Sequence, residues 1–202
     1  MNVLLRAVYK GVIVVLTVAS TPFQLLIGVF VLLGSGYPIV FVQRRIGKDG
    51  APFAFYKFRT MKRGADEWKG KYAHLNEADG PVFKIHDDPR FTRIGRFLSH
   101  TGLDELPQLW NILRGDMALV GPRPLPVNEV KKLKKWQYAR HAVKPGIISP
   151  WVVDGYHRQT FDAWMRSDIA YAKNKSVWVD VVLLVKASIL FLRLLTKEMI
   201  VR

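Results

Sequence analysis

The chain has 202 residues, with 31 Lys and Arg against 16 Asp and Glu, a formal charge of +15. Half of the residues are hydrophobic, which excludes a disordered chain, because disorder pairs high net charge with low hydrophobicity. Cysteine is absent, which excludes disulfides, thiolate metal sites and a cysteine nucleophile and allows a reducing compartment. A chain both basic and apolar suits a surface that offers anionic groups beside an oily phase. A membrane offers both and nucleic acid only the first.

Three regions follow from the pattern: an anchor over 1–36, a mixed α/β soluble middle over 37–175 and an amphipathic tail over 176–202. No Asp, Glu, Lys or Arg occurs from Gly11 to Gln43. The run over 11–33 is long enough, at about 1.5 Å per helical residue, to cross a hydrocarbon core of about 30 Å. It has no A-x-A exit, which favours a retained segment over a cleaved leader. Pro22 sits in its middle, behind Ser20 and Thr21. Proline donates no backbone hydrogen bond and crowds the carbonyl four residues back, so a break is expected there, with the two hydroxyls serving freed carbonyls. Helix statistics alone favour a kinked span; the sharper reading is a re-entrant hairpin that dips in and returns. Basic residues flank both ends (Arg6 and Lys10, then Arg44, Arg45 and Lys48), so charge asymmetry sets no direction.

The middle reads as mixed and mostly helical. Residues 38–43 and 53–58 are β-branched or aromatic runs split by Gly47 and Asp49-Gly50, which predicts a hairpin. Residues 62–90 are polar and irregular, a surface loop with at most two helical turns. Residues 103–115 place Leu106, Leu109, Trp110 and Leu113 at helical spacing, with Asp104 and Glu105 at the start and Gly115 at the end. Residues 129–141 predict a basic helix and 161–174 another. In the tail, Lys186, Arg193 and Lys197 share one helix face among Leu, Ile, Val and Phe. That pattern predicts a helix lying in the membrane interface, with a core helix carrying one solvated edge as the alternative.

Chemistry concentrates between residues 57 and 124. An acidic pair at a helix start commonly caps and offsets the helix dipole, worth about 0.5–2 kcal/mol. In so basic a chain, Asp104-Glu105 also suits a divalent cation with oxygen ligands, typically Mg²⁺. A carboxylate can also attack phosphorus directly. Gly121-Pro122-Arg123-Pro124 fixes an arginine fork between two prolines, a shape matched to phosphate oxygens. Lys57 and Arg59, two apart on a strand, share a face that could meet a diphosphate. His100, His141 and His157 have no metal-ligand spacing. A P-loop, a Rossmann fingerprint and a Ser-His-Asp set are all absent from the sequence.

YKFRTM (56–61), TGLDELPQLWNILRGDMALVGPRP (101–124) and KPGI (144–147), with the Pro-interrupted N-terminal segment, resemble the bacterial sugar transferases, the monotopic phosphoglycosyl transferases. The resemblance covers nearly the whole chain. It implies transfer of a sugar-1-phosphate from a nucleotide-diphosphate sugar, such as a UDP-sugar, to a polyprenyl phosphate at the cytoplasmic face of the bacterial inner membrane, with Mg²⁺. By the same resemblance Asp104 is the nucleophile, Glu105 its partner at the metal, and Lys57 and Arg123 lie near the phosphates. Ser20, Thr21 and Pro22 match the family's re-entrant break. The expected partners are the nucleotide sugar, the polyprenyl phosphate and anionic headgroups, and no nucleic acid.

The sequence departs from the family in two places. Many members carry Arg five residues before the nucleophile, where this chain has Ser99 followed by His100; either Arg96 replaces it or the cation is lost. The run over 148–158 differs from the family's Thr-Gly-x-Ala-Gln pattern, which touches donor recognition more than reaction type. An ordinary glycosyltransferase, which would release a nucleoside diphosphate, and a catalytically weakened basic membrane scaffold are the rival readings.

Overall fold

The computed structural model describes residues 3–153, 155 and 160–200. His157 and Arg158, within the divergent run noted above, lie outside them. The described chain is mostly helical with two small sheets. Helix α1 spans Val3–Ser35 and continues through Pro22. β1 (Val40–Ile46) and β2 (Pro52–Phe58) pair antiparallel. This is the predicted hairpin. Residues 59–92 carry only two single-turn 3₁₀ segments, Glu67–Lys69 and Ala73–Leu75. Then come α2 (Arg93–Thr101), a 3₁₀ turn over Leu103–Glu105 and α3 (Gln108–Arg114). β3 (Ala118–Val120) pairs in parallel with β4 (Gly146–Ile148). Between them lie a short α4 (Val127–Val130) and a 3₁₀ segment over Lys135–Ala142. A short α5 (Pro150–Val153), then α6 (Phe161–Asn174) and α7 (Val177–Ile200), complete the order.

Two expected helices are corrected. Residues 103–115 form a 3₁₀ turn and then α3, because Pro107 stands at the junction as the N-cap and cannot carry an α-helix through its own ring. The buried face is also shifted: Leu109 and Ile112 are inside, while Trp110 and Leu113 are exposed. Residues 129–141 do not form one helix either. α4 stops at Val130, and the next helical segment starts at Lys135, with the Lys134 amide donating to Gln137 Oε1 at 2.7 Å. Gln137 is itself buried and donates to Asp162 Oδ1 at 2.7 Å, so a tertiary contact overrides the local helical pattern.

Both halves of α1 pack on the domain. Tyr9 and Ile13 join a cluster with Phe55, Leu109, Ile112 and Met117. Ile27 and Val31 join another with Phe58, Leu98 and Leu103. Between them, Thr17 Oγ1 donates to the Ile13 carbonyl at 2.8 Å, and both Ser20 Oγ and Thr21 Oγ1 donate to the Thr17 carbonyl. The hydroxyls before Pro22 therefore bond the Thr17 carbonyl, one residue short of the Val18 carbonyl that Pro22 deprives of an amide partner. The opposite face stays bare: Val15, Val18, Leu25 and Leu33 are each more than half exposed. By length and composition, α1 is the one helix among the described residues able to cross a membrane.

α7 is banded. Leu183 is buried against Val120 and Tyr171, and Leu195 packs near Ile27 and Val31 of α1. Trp178, Val182, Val185, Ile189 and Leu192 are exposed on the other side. At 100° per residue, Lys186, Arg193 and Lys197 line one edge of that exposed apolar stripe. A core helix with one solvated edge is not what forms.

Candidate active site

Asp104 sits in the 3₁₀ turn that follows α2. Gly102 ends α2 in the left-handed region, at φ 76°, which only glycine adopts cheaply. Leu103 and Leu106 are drawn into the cluster beneath α1. The turn is thus pinned by its apolar neighbours, and the carboxylates between them point elsewhere. Asn111, fully buried, ties α3 to β2: its Nδ2 donates to the Ala54 carbonyl at 2.6 Å, and its Oδ1 accepts from the Tyr56 amide at 3.2 Å. That stitch brings Lys57 on β2 beside the acidic turn. Nothing in the local pattern had marked Asn111.

Lys57 Nζ lies 3.9 Å from Asp104 Oδ2, and Arg123 Nη1 donates to Glu105 Oε1 at 2.7 Å. Asp104 is 5% exposed. Burial pushes its carboxyl up to about 6, helped by the neighbouring Glu105 charge and opposed by Lys57 and Arg123. Burial lowers the Lys57 ammonium, which Asp104 holds up. The Glu105 charge raises Arg123. A carboxyl lifted by burial and framed by two cations is a functional-site signature.

Further cations belong to the same neighbourhood. Arg45 on β1 stacks on the Phe55 ring at 3.8 Å and donates through Nη1 to the Pro124 carbonyl at 2.9 Å. Burial and Arg123 push it down to about 9, with Glu105 and Glu129 opposing. Burial pushes Lys84, from the irregular segment, down to about 7, with Arg123 adding and Glu77 opposing. Neither was marked as a site residue in the sequence, because a half-buried cation looks like a solvated one in a string of letters.

Arg59 is not brought to this cluster. β2 ends at Phe58, so the alternation that would align Arg59 with Lys57 stops. Arg59 Nη1 instead donates to the Ser35 carbonyl at the end of α1, at 3.1 Å. Arg96 pairs with Asp87 at 3.5 Å on the surface. His100, beside Ser99, has Nδ1 3.0 Å from Glu198 Oε1 of α7 and Nε2 3.0 Å from the His86 carbonyl, with its ring stacked on His86. Neither reaches the dyad; the extra cation there is Arg45.

No cluster of three or more metal-binding side chains occurs among the described residues. A Mg²⁺ ion does not need one, since it is commonly held by one or two carboxylates, with water and substrate phosphate completing the shell. Glu105, with Oε1 engaged by Arg123, fits that role through its other oxygen, and Asp104 is its neighbour in the chain. The donors are all oxygen, as a hard cation requires.

Two carboxylates thus stand among guanidinium and ammonium groups, on a turn packed under a helix with one bare apolar face. The family model for bacterial sugar transferases matches residues 2–193. The chain is 43% identical over 147 residues to a galactosyl transferase, CpsE, of Streptococcus agalactiae, covering 72% of this chain and 33% of that one. It is 36% identical over 166 residues to the undecaprenyl-phosphate galactose phosphotransferase of Salmonella typhimurium, covering 78% and 34%. It is 34% identical over 170 residues to the exopolysaccharide production protein ExoY of Rhizobium meliloti, covering 82% and 75%. The chain belongs to the bacterial sugar transferase family. It spans about a third of the length of the first two of these relatives.

Proposed function

We propose that this chain is a phosphoglycosyl transferase that moves a sugar-1-phosphate from a nucleotide-diphosphate sugar of the UDP-sugar class to a polyprenyl phosphate. The single observation that carries this reading is the buried Asp104 carboxyl, set between Lys57 and the Arg123–Glu105 pair. A relative whose name describes this chemistry, the UDP-glucose:undecaprenyl-phosphate glucose-1-phosphate transferase of Escherichia coli, is 36% identical over 170 residues.

In this reading an Asp104 oxygen attacks the phosphorus that carries the sugar. The bond from that phosphorus to the bridging oxygen breaks, and the nucleoside monophosphate leaves with the electron pair. A phosphate oxygen of the lipid then attacks the same phosphorus and expels Asp104 as carboxylate. Two easier steps replace one between mutually repelling anions. Lys57, Arg123 and Arg45 offset the charge that gathers on the phosphoryl oxygens. Glu105 holds Arg123; with Asp104 beside it, it would also hold a Mg²⁺ ion, which would supply further neutralisation of the diphosphate.

The site must stand at the bilayer surface, since one substrate is soluble and the other is a lipid. Only about 13 residues of α1, 14–26, separate its two packed clusters. At about 1.5 Å each they measure about 20 Å, short of the roughly 30 Å core. With both ends packed on one domain, this favours a re-entrant anchor over a span, although the helix runs unbroken through Ser20-Thr21-Pro22. The bare stripe of α7, edged by Lys186, Arg193 and Lys197, suits a helix resting among anionic headgroups, and Trp110 and Trp178 expose amphipathic rings of the kind found at interfaces. Tags placed at Met1 and Arg202, and a probe at Arg44, should then all report the cytoplasmic side of the inner membrane. A periplasmic Met1 replaces the hairpin by a span.

The function is tested by incubating the membrane-bound chain with a panel of UDP-sugars, polyprenyl phosphate and Mg²⁺. The expected products are nucleoside monophosphate and a polyprenyl-diphosphate sugar. Release of nucleoside diphosphate instead identifies sugar transfer without phosphate and overturns the reading. No turnover with any sugar supports a non-catalytic scaffold.

A further inference from the structure

The Pro122-Arg123-Pro124 turn offers an unusual problem of support. Neither proline has an amide hydrogen, so the turn's carbonyls must find their donors elsewhere. Arg140 is 1% exposed and its Nη2 donates to the Arg123 carbonyl. The same guanidinium is held by Asp168 of α6, which is 0% exposed, through Nε at 3.0 Å and through Nη2. The next carbonyl, that of Pro124, accepts from Arg45 Nη1 at 2.9 Å. One buried guanidinium and one half-buried one thus take two consecutive carbonyls. α6 reaches the start of the same stretch as well, through Tyr171 Oη to the Val120 carbonyl at 3.0 Å. On the other side, the Ile46 amide of β1 donates to the Leu125 carbonyl at 3.0 Å.

We propose that Arg140, anchored by Asp168, together with Arg45, forms a clamp on this turn that fixes where the Arg123 guanidinium meets Glu105. Arg140 and Asp168 are positioning residues that act through Arg123. A buried ion pair is a poor way to stabilise a fold, because desolvation offsets most of the attraction and an apolar pair of similar size often does as well. A charge-assisted bond to a backbone carbonyl, in contrast, sets a direction and a distance. The proline rings fix φ, and the arginines fix where the turn lies. Arg123 then projects from a rigid base, and its 2.7 Å contact with Glu105 is set before any substrate arrives. The catalytic consequence rests on the proposed function, while the geometric claim stands apart from it.

The test replaces both charges at once, Arg140→Met with Asp168→Leu, in the full membrane-bound chain. A cooperative unfolding transition within a few degrees of the parent is expected. Turnover should fall about 10- to 100-fold, the usual cost of a small misplacement at a reacting centre, with KM for the nucleotide sugar little changed. In an Arg123→Ala background the same pair of changes should cost nothing further. An equal loss in both backgrounds, or no loss in either, overturns the clamp. The arm independent of activity is ¹⁵N NMR of the Arg123 guanidinium, assigned by its loss in Arg123→Ala: its Nε signal should shift and broaden in the double variant, and an unmoved signal overturns the proposal. If the parent turns over no nucleotide sugar, the functional reading falls and this spectrum decides the clamp alone. If the double variant does not fold, Arg140→Lys keeps the charge but loses the fork, and is judged by the same two readouts.

Discussion

Asp104→Asn is expected to lower sugar-phosphate transfer by on the order of 10³-fold or more, the scale on which removal of a covalent nucleophile acts. The exchange keeps the shape of the side chain and its place between Leu103 and Glu105, so Lys57, Arg123 and the packing under α1 should be kept. Release of nucleoside monophosphate in single turnover is the measurement, because the first half of the reaction alone produces it. Release at the parental rate removes Asp104 as nucleophile. The pH dependence follows from the same carboxyl. Burial raises it to about 6, and only the ionised form attacks, so single-turnover rates should fall as pH drops through about 6. The stability sign is the reverse. A carboxyl whose folded pKa is raised contributes most below its unfolded value near 3.8, and that contribution is lost as pH rises through about 6. The melting temperature of Asp104→Asn relative to the parent should therefore climb between pH 4 and pH 7, and a flat difference contradicts the burial argument.

The second large effect is on the fold and not on the chemistry. Gly95, on α2, lies so close to the strand end that a Cβ there would fall 1.8 Å from the Thr60 carbonyl oxygen. That obstacle is backbone, so it cannot swing aside as a side chain would. The Thr60 carbonyl also accepts from the Thr92 amide at 3.0 Å, and Thr92 Oγ1 caps α2 through the Gly95 amide. Gly95→Ala should cost about 3 kcal/mol, the upper range for forced overpacking, and lower the melting temperature by about 6–12 °C in a chain of this size. Because α2 leads straight into the Gly102 turn, activity should fall with the fold and recover on cooling. A neutral melting temperature contradicts the close approach of α2 to Thr60.

How far the sequence could be read depended on whether the information was local. α1, the β1–β2 hairpin, α6 and α7 each carry a long periodic or uniform signal, and each forms where the pattern places it. α3 was half legible: Gly115 ends it, but Pro107 splits its start, and the buried row runs through Asn111 and Ile112 and not through Trp110. β3 and β4 were missed. They are three residues each, and they meet because Gly121 and Gly146 have no side chain, a Cβ at Gly146 falling 2.1 Å from the Gly121 amide nitrogen. That contact gives GPRP and KPGI a common physical reason: the two segments touch.

The site divides in the same way. Asp104, Glu105, Lys57 and Arg123 stood out by residue type and neighbours, and the fold brings those four together. Arg59 was paired with Lys57 by strand alternation, and the end of β2 at Phe58 separates them. Arg45, Lys84, Arg140 and Asp168 were invisible because their importance lies in burial. Each is brought in from a distant stretch of chain, and no window of sequence contains both partners.

The measurement closest to the central claim is intact-protein mass spectrometry on the chain quenched partway through reaction with a UDP-sugar, before any polyprenyl phosphate is added. The account predicts one added sugar-phosphate per chain, mapped to the peptide containing Asp104, absent from Asp104→Asn and discharged when the lipid phosphate arrives. Full product formation on adding the lipid, with the protein mass unchanged at every earlier time, would contradict it.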